Sequence, residues 1–382
     1  MPAKGGMAWG LAWARTRKLG RIVRIGLAGR AALLLGLLLA LLLRSDGRAQ
    51  PEALTPQPWL DPALGPLDRR HLAVVINDAD PLSVALGALY ARERGIPEAQ
   101  LIRLRFAPGR AAMTPKQFGR LHSELERLTP AHVQAYALAW TLPYRVGCQS
   151  ITSAVASGLL PLDCARGCAA TPINPYYARS DVGRPWTQLR LRPTMLLAAR
   201  SLAAGRALIE RGVAADGTAP GGTAYLLSSS DPVRNVRAAG YGQAAAVLGT
   251  RLRVRVLRQD RLEGARDVIV YLTGLAQVPV IDGNHYRPGA IADHLTSFGG
   301  ALDGGNGQMS ALRWLEVGAT GSYGTVVEPC NLPAKFPDPA LLISAYRDGA
   351  TLIEAYWRSV AMPAQGVFIG EPLARPWPSI SP

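Results

Sequence analysis

The sequence predicts an α/β protein with a doubly wound, mostly parallel sheet. Short apolar runs typical of buried strands alternate with helical segments, beginning with HLAVVIN at 71–77 and a helix that starts at Pro81. This alternation favours parallel strands joined by helices. A chain of 382 residues is long enough for one large domain or two small ones. We assign the α/β domain to residues 71–378.

Apolar runs and turn residues place the strands along the chain. Strands are predicted at 71–77, 101–106, 133–140, 223–227, 252–257, 267–272, 290–295, 321–327 and 366–369. Helices are predicted at 81–94, 115–128, 193–211, 230–248, 310–316 and 350–360. Gly95 is expected to end the first helix, and Thr114 before Pro115 is a plausible N-cap of the second.

The first 49 residues read as a signal peptide or signal anchor. Residues 1–50 hold nine Lys or Arg and one acid, and AALLLGLLLALLL at 31–43 is an uninterrupted apolar run. Thirteen residues suit a signal-peptide core and are short for a span of about 20. Cleavage after Ala49 predicts a periplasmic or secreted protein. The alternative is attachment to the inner membrane through residues 31–43. A Pro-rich linker follows at 50–70.

The remaining charge does not indicate nucleic-acid binding. The chain carries a formal charge of +15, but residues 51–382 hold 33 basic and 26 acidic residues, a net charge of +7. No basic cluster with interleaved aromatic residues follows residue 50. We therefore expect no nucleic-acid partner.

Residues 141–192 break the alternation and are rich in Pro, Gly, Cys and Ser. We interpret them as a long insertion over the sheet edge. Three of the four cysteines lie here, and in an exported protein they favour a bridge from Cys148 to Cys164 or Cys168. A zinc site is the alternative, but no histidine lies within the cysteine-rich stretch.

Several segments resemble gingipain-like and related bacterial envelope proteins. These are VVINDADPLSVALGALYARERGIPEAQLIRL (74–104), GAIADHLTSFGG (289–300), GATGSYGTVVEPC (318–330) and GATLIEAYWRSVAMPAQGVFIGEPLARPW (349–377). The resemblance covers about residues 70–378 and implies a caspase-hemoglobinase fold. In such peptidases a His-Gly pair ends one strand and a nucleophilic Cys ends the next. Here Thr273 stands in place of the histidine, and Thr296 or Ser297 in place of the cysteine.

Ser297 is the first candidate nucleophile, because a strand-to-loop turn would expose its hydroxyl. A serine needs an adjacent base to attack a carbonyl. His294 would face the other side of a strand, so we expect His285 to act as base and Asp282 to orient it. In the alternative interpretation, Ser297 is a turn residue that bonds its own backbone.

Cys330 is the second candidate nucleophile. It follows a strand at the end where open α/β sheets bind ligands, and His285 or His294 could lower the pKa of its thiol. Alternatively, Cys330 is a small buried residue or the disulfide partner of an insertion cysteine.

A metal ion is the third candidate, because carboxylate and imidazole groups gather near the same segment. The possible ligands are Asp282, His285, Asp293, His294 and Glu328. Their spacing matches no established metal motif, so we assign no metal and no cofactor.

Two functions remain open from the sequence. The first is a hydrolase-like or degenerate peptidase-like enzyme acting on a peptide-like substrate, with Asp293 and His294 also near its site. The second is a non-catalytic envelope protein that uses the same cleft to bind a partner or to serve as a scaffold.

Overall fold

The computed structural model of the protein describes residues 65–304 and 307–378. Its strands β1 to β13 are Leu72–Asn77, Leu101–Leu104, Ala112–Met113, Ala135–Leu138, Arg145–Val146, Gln149–Ser150, Thr194–Leu196, Thr223–Ser228, Arg253–Arg258, Val268–Thr273, Tyr286–His294, Gly321–Thr325 and Gly366–Gly370. Its helices α1 to α9 are Pro81–Arg94, Pro115–Leu128, Ile151–Ser157, Pro185–Leu189, Leu202–Ala215, Tyr241–Leu248, Leu312–Glu316, Pro339–Arg347 and Leu352–Ser359.

The predicted leader at 1–49 and most of the predicted linker at 50–70 lie outside the described residues. The start of the domain at residue 71 therefore stays a prediction. In the described part of the chain, no helix is both long enough and apolar enough to cross a membrane.

Ten strands form one large sheet in the order β2-β1-β4-β7-β13-β12-β11-β10-β8-β9. All neighbouring strands are parallel except β12 and β13. The short strands β3, β5 and β6 form a separate small sheet. The α/β fold class with a mostly parallel sheet is confirmed.

Strand β1 shows how helices cover both faces of the sheet. Val74 and Ile76 belong to one buried core cluster with Leu86 of α1. The intervening Val75 belongs to a second cluster with Phe118 of α2. Because successive side chains of a strand point to opposite faces, α1 and α2 pack on opposite sides of the sheet. This layering explains why residues 72–76 of β1 are all apolar.

Capping residues fix the starts of α1 and α2 where the sequence predicts them. The Asp80 side chain accepts a hydrogen bond from the amide of Leu82 at 3.0 Å. Thr114 and Gln117 form a capping box at the start of α2, with each side chain bonded to the backbone amide of the other. Gly95 follows α1 with a φ of 60°, a left-handed conformation that glycine adopts readily.

The predicted helix at 193–211 is wrong over its first residues. Thr194–Leu196 forms β7, a buried strand between β4 and β13, and the helix α5 begins only at Leu202. The predicted helix at 230–248 also begins late, as a 3₁₀ turn at Asn235–Gly240 that leads into α6. Helix α8 lies in a segment where no helix was predicted.

Residues 141–192 connect β4 to β7, which are neighbours inside the sheet. It carries β5, β6, α3 and α4. Two disulfides tie it down, Cys148–Cys164 and Cys168–Cys330. The first is one of the two predicted pairings. Two disulfides indicate an oxidising compartment outside the cytoplasm.

Hydrogen bonds add to the second disulfide. The buried Lys335 donates from Nζ to the carbonyl oxygen of Gly167 at 2.7 Å, and Gln365 donates to the same oxygen at 3.1 Å. Burial lowers the pKa of Lys335 to about 8. These contacts hold the insertion on the loop that follows β12.

Candidate functional site

The strands β8, β10, β11 and β12 end at one edge of the sheet, where the resemblance implies a catalytic site. The chain passes from β8 outward to β9 and then returns to β10 on the other side of β8. Ligands of open α/β sheets bind at such a switch point, beyond the carboxyl ends of the strands. The residues that follow these strand ends therefore decide what chemistry this edge supports.

Thr296 is held in a hydrogen-bonded group with Asp231, Arg234 and Gln308, which we call the Arg234–Thr296 cluster. Its hydroxyl accepts from Arg234 Nε at 3.0 Å and donates to Gln308 Oε1 at 2.6 Å. Arg234 also pairs with Asp231 at 2.8 Å. The hydroxyl proton is already donated to an amide oxygen, and no described side chain bonded to Thr296 is a base that could activate it as a nucleophile.

Ser297 is half-buried and is fixed through its backbone. Its carbonyl oxygen accepts a hydrogen bond from Thr325 Oγ1 at 3.0 Å, and that hydroxyl also contacts the carbonyl of Thr296 at 3.0 Å. Within residues 65–304 and 307–378, no side chain is hydrogen-bonded to the Ser297 hydroxyl. Among these residues, the structure therefore shows no base that could activate the serine.

The predicted triad of Ser297, His285 and Asp282 is not formed. His285 immediately precedes β11, where its amide donates to the carbonyl of Ala265 at 2.8 Å, whereas Ser297 follows the other end of the same strand. β11 has a bulge and pairs with β10 from Tyr286, opposite Val268, to His294, opposite Thr273. Five steps along β10 separate these two pairs, which is about 17 Å at about 3.3 Å per residue. His285 and Asp282 therefore lie at the amino end of β11 and Ser297 beyond its carboxyl end, so the structure does not bring His285 and Ser297 together.

His294 is the nearest histidine in sequence, and it is fully engaged in the core. Trp314 donates from Nε1 to His294 Nδ1 at 3.0 Å, so Nε2 carries the proton that is shared with the carbonyl of Met309 at 2.9 Å. Burial lowers the pKa of His294 to about 4. A neutral imidazole with both nitrogens hydrogen-bonded inside the core serves a structural role.

Asp293 is also structural. It forms an ion pair with Arg237 at 2.6 Å, and both side chains are almost completely buried. Arg237 also donates to the carbonyl of Thr273 at 2.9 Å, which ties the end of β10 to the same pair. Burial raises the pKa of Asp293, and the adjacent guanidinium offsets part of that rise.

Cys330 has no free thiol, because it forms the disulfide with Cys168. A half-cystine cannot supply the thiolate that a cysteine nucleophile requires. The alternative, that Cys330 pairs with an insertion cysteine, is confirmed. Glu328 beside it accepts a hydrogen bond from the Cys330 amide at 2.8 Å.

The five possible metal ligands are not brought together. Asp282 and His285 lie at the amino end of β11, whereas Asp293 and His294 lie at its carboxyl end with their own partners. Among the described residues, no group of three or more His, Cys, Asp and Glu side chains could hold a metal ion.

The crevice between the ends of β8 and β10 is filled by the loop that follows β8. Ser229 donates from its hydroxyl to the carbonyl of Gly274 at 2.5 Å, and a Cβ on Gly274 would overlap the carbonyl oxygen of Arg234. Sequence reasoning missed both Arg234 and Gln308. The Asp231–Arg234 spacing was a possible signal, because side chains three residues apart are neighbours in a helical turn.

Comparison with protein-family models gives no match, and comparison with curated proteins gives none either. Among solved structures, the chain is similar to the complex of the pro- and mature domains of RgpB from Porphyromonas gingivalis. The identity is 8%, the TM-score is 0.39, and the alignment covers 80% of this chain and 79% of that chain. A structure described as that of a protease is similar at 9% identity and a TM-score of 0.39, covering 82% and 80%. What the site can do is therefore decided by its own side chains.

Proposed function

We propose that the protein is a non-catalytic recognition protein that works outside the cytoplasm and binds a peptide-like ligand or an envelope partner. One observation carries this proposal. Among the described residues at the edge formed by β8, β10, β11 and β12, no candidate nucleophile has a base beside it. Within the described part of the chain no side chain is bonded to the Ser297 hydroxyl, Thr296 donates to Gln308, and Cys330 is oxidised. His294 is neutral and buried.

The attachment of the insertion at residues 141–192 to the rest of the domain supports the same function. The Cys168–Cys330 disulfide and the bonds of Lys335 and Gln365 to Gly167 hold a large segment rigidly at the carboxyl edge of the sheet. A rigid surface loses little conformational entropy when it binds a partner. The leader predicted at 1–49 and the two disulfides agree with export, and membrane attachment through residues 31–43 is part of this proposal.

Covalent labelling tests the absence of an activated nucleophile. The intact chain and Ser297→Ala are treated with a fluorophosphonate and with iodoacetamide, folded and in urea, and labelled sites are located by mass spectrometry. We expect the folded chain and the variant to label equally with the fluorophosphonate. Labelling that needs both the folded state and Ser297 would overturn the proposal, because only an activated serine reacts in that way.

A peptide library distinguishes recognition from hydrolysis. The intact chain is placed in equilibrium dialysis against a mixture of short peptides, and both compartments are analysed by mass spectrometry. Intact peptides enriched on the protein side support recognition. Cleavage products that appear with the intact chain and are missing with Ser297→Ala contradict it.

A further inference from the structure

A cavity of about 370 Å³ lies at the carboxyl end of β2, away from the Arg234–Thr296 cluster. Its apolar lining includes Phe106, Met113 and Leu121, and its basic lining consists of Arg105, Arg110 and Arg120. A volume of this size is in the range of small-molecule sites, which combine an apolar lining with a few placed polar groups.

The cavity adjoins the other switch point of the sheet. The chain runs from β1 outward to β2 and returns to β4 on the other side of β1. Ligands of doubly wound sheets bind at such positions. At the β8–β10 switch point, the loop that follows β8 packs against Gly274 and fills the crevice. At the β1–β4 switch point, a ligand-sized cavity stays open.

Buried polar bonds fix the apolar floor of the cavity. Asn77 is fully buried at the end of β1, and its side chain holds both backbone groups of Phe106. It accepts from the Phe106 amide at 3.1 Å and donates to the Phe106 carbonyl at 3.0 Å. The Phe106 ring packs edge-on against Trp140 with centroids 5.1 Å apart. The floor is therefore formed before any ligand arrives.

The insertion completes the wall. Trp140 donates from Nε1 to the carbonyl of Pro143, a residue of the cavity lining, at 3.2 Å. Met113 lies in β3, which pairs with β5 of the insertion through Val146. The disulfide-bound insertion thus helps to shape this cavity.

The basic side chains of the lining have no partners within the described chain. Arg105, Arg110 and Arg120 are exposed, and none forms an ion pair or a side-chain hydrogen bond with a described residue. Glu124 is the one acidic side chain in the lining. Three guanidinium groups against one carboxylate leave an excess of positive charge beside an apolar floor.

We propose that this cavity binds a monoanionic carboxylate carried on an apolar group, such as the terminal residue of a peptide or a medium-chain fatty acid. The proposal rests on the proposed recognition function and names its ligand class. A guanidinium fork matches a carboxylate with two parallel hydrogen bonds. Glu124 would repel a dianionic phosphate more strongly than a monoanionic carboxylate.

Matched ligands test the carboxylate directly. Binding of N-acetyl-leucyl-valine, its C-terminal amide and octanoate to the intact chain is measured by NMR titration. Loss of one charge-assisted contact is expected to weaken binding by about tenfold, so the amide should bind about tenfold more weakly than the acid. Equal binding of acid and amide overturns the proposal. Tighter binding of the peptide acid or of octanoate supports it and identifies the source of the ligand.

Variants locate the site. Arg110→Glu should weaken binding of the acid by about tenfold or more, and Met113→Trp should abolish binding by filling the cavity. Arg255→Glu makes the same charge change on the exposed strand β9 at the far edge of the sheet and should bind normally. Circular dichroism confirms that each variant is folded. If a folded Met113→Trp binds the acid normally, or if Arg110→Glu acts no differently from Arg255→Glu, the proposal fails. The labelling of Ser297 is independent of both results.

Discussion

We predict that the buried ion pair of Asp293 and Arg237 is essential to the stability of the carboxyl edge of the sheet. The side chains are 2% and 3% exposed, and the pair is 2.6 Å long. In Asp293→Asn the guanidinium stays buried without its counter-charge, and arginine cannot discharge itself by losing a proton. Breaking a buried pair in this way costs about 3–5 kcal/mol. We expect the free energy of unfolding to fall by that amount.

Urea denaturation followed by far-UV circular dichroism measures the loss, with the disulfides intact and the slope of the transition unchanged. Asp181→Asn is the matched control, because it removes the same charge from an exposed ion pair with Arg179. That control should lose less than about 1 kcal/mol. The double variant Arg237→Met/Asp293→Leu should recover most of the loss, since apolar residues often replace a buried pair without cost.

The pH dependence of the free energy of unfolding distinguishes the loss of Arg237 from the loss of Asp293. In Arg237→Met the uncompensated Asp293 can take up a proton, and its pKa should rise further above that of the unfolded chain. The folded state then binds more protons than the unfolded state, so the stability of this variant falls as pH rises. Its deficit should be smaller at pH 5 than at pH 8, whereas the deficit of Asp293→Asn should stay nearly constant. If Asp293→Asn lowers the free energy of unfolding by no more than Asp181→Asn does, the buried pair does not stabilise the carboxyl edge of the sheet.

Three further outcomes follow from other buried contacts. The His294 ring should titrate by NMR with a midpoint near pH 4, because burial disfavours its charged form; a midpoint above 6 contradicts the bonding described for it. Its neutral form contributes stability that is present above about pH 6.5 and lost as pH falls towards 4, up to roughly 3 kcal/mol. Cys168→Ser opens the disulfide to Cys330, which spans 162 residues, and should cost about 5 kcal/mol by the loop-entropy relation; a loss below about 1 kcal/mol in urea denaturation contradicts this. Gly274→Ala should destabilise the fold by at least 2 kcal/mol through overlap with a neighbouring carbonyl, whereas Gly119→Ala, on an open helix surface, should stabilise it by about 0.5–1 kcal/mol; similar unfolding energies for the two variants would contradict the packing at Gly274.

Local sequence signals predicted most of the strands and two helix starts, but they failed where tertiary contacts outweigh propensity. The segment around Thr194–Leu196 is rich in Met, Leu and Ala, which favour helices. It forms β7 because it lies between β4 and β13, and Trp357 of α9 donates to the Thr194 carbonyl at 3.0 Å. Those partners are far away in sequence, and propensity carries no information about them.

The structure does not assemble the predicted triad for a related reason, an error in one strand boundary. The strand was predicted from residue 290, which left His285 on a loop free to fold back towards Ser297. β11 begins at Tyr286, so His285 is fixed at the amino end of the strand by its bond to Ala265. Strand starts are poorly marked when, as here, Pro288 and Gly289 lie inside the strand.

The pairing of Cys330 could not be read from the sequence either. Cys168 is 162 residues away, and four cysteines allow three connectivities. The sequence supplied only the alternatives, a free nucleophile or a disulfide partner. The contact that decides between them is the docking of Gly167 on the carbonyl of Glu328, where a Cβ would overlap that oxygen. Close backbone approach of this kind depends on the folded chain.

The two switch points of the sheet differ in how far their side chains are already bonded within the chain. At β8–β10, Arg234 donates to the hydroxyl of Thr296, and the hydroxyl of Ser229 donates to the backbone carbonyl of Gly274. Such bonds stabilise the edge and remove the free lone pairs and protons that catalysis needs. At β1–β4 the buried Asn77 positions Phe106. Among residues 65–304 and 307–378, no ion pair or side-chain hydrogen bond is formed by Arg105, Arg110 or Arg120. Selection for binding would preserve the second arrangement and place no demand on the first. Arg110→Glu should therefore weaken ligand binding in NMR titration and change the free energy of unfolding little. Arg234→Ala should lower the free energy of unfolding in urea denaturation and leave ligand binding intact. The opposite pattern would place the binding site at β8–β10 and the structural contacts at β1–β4.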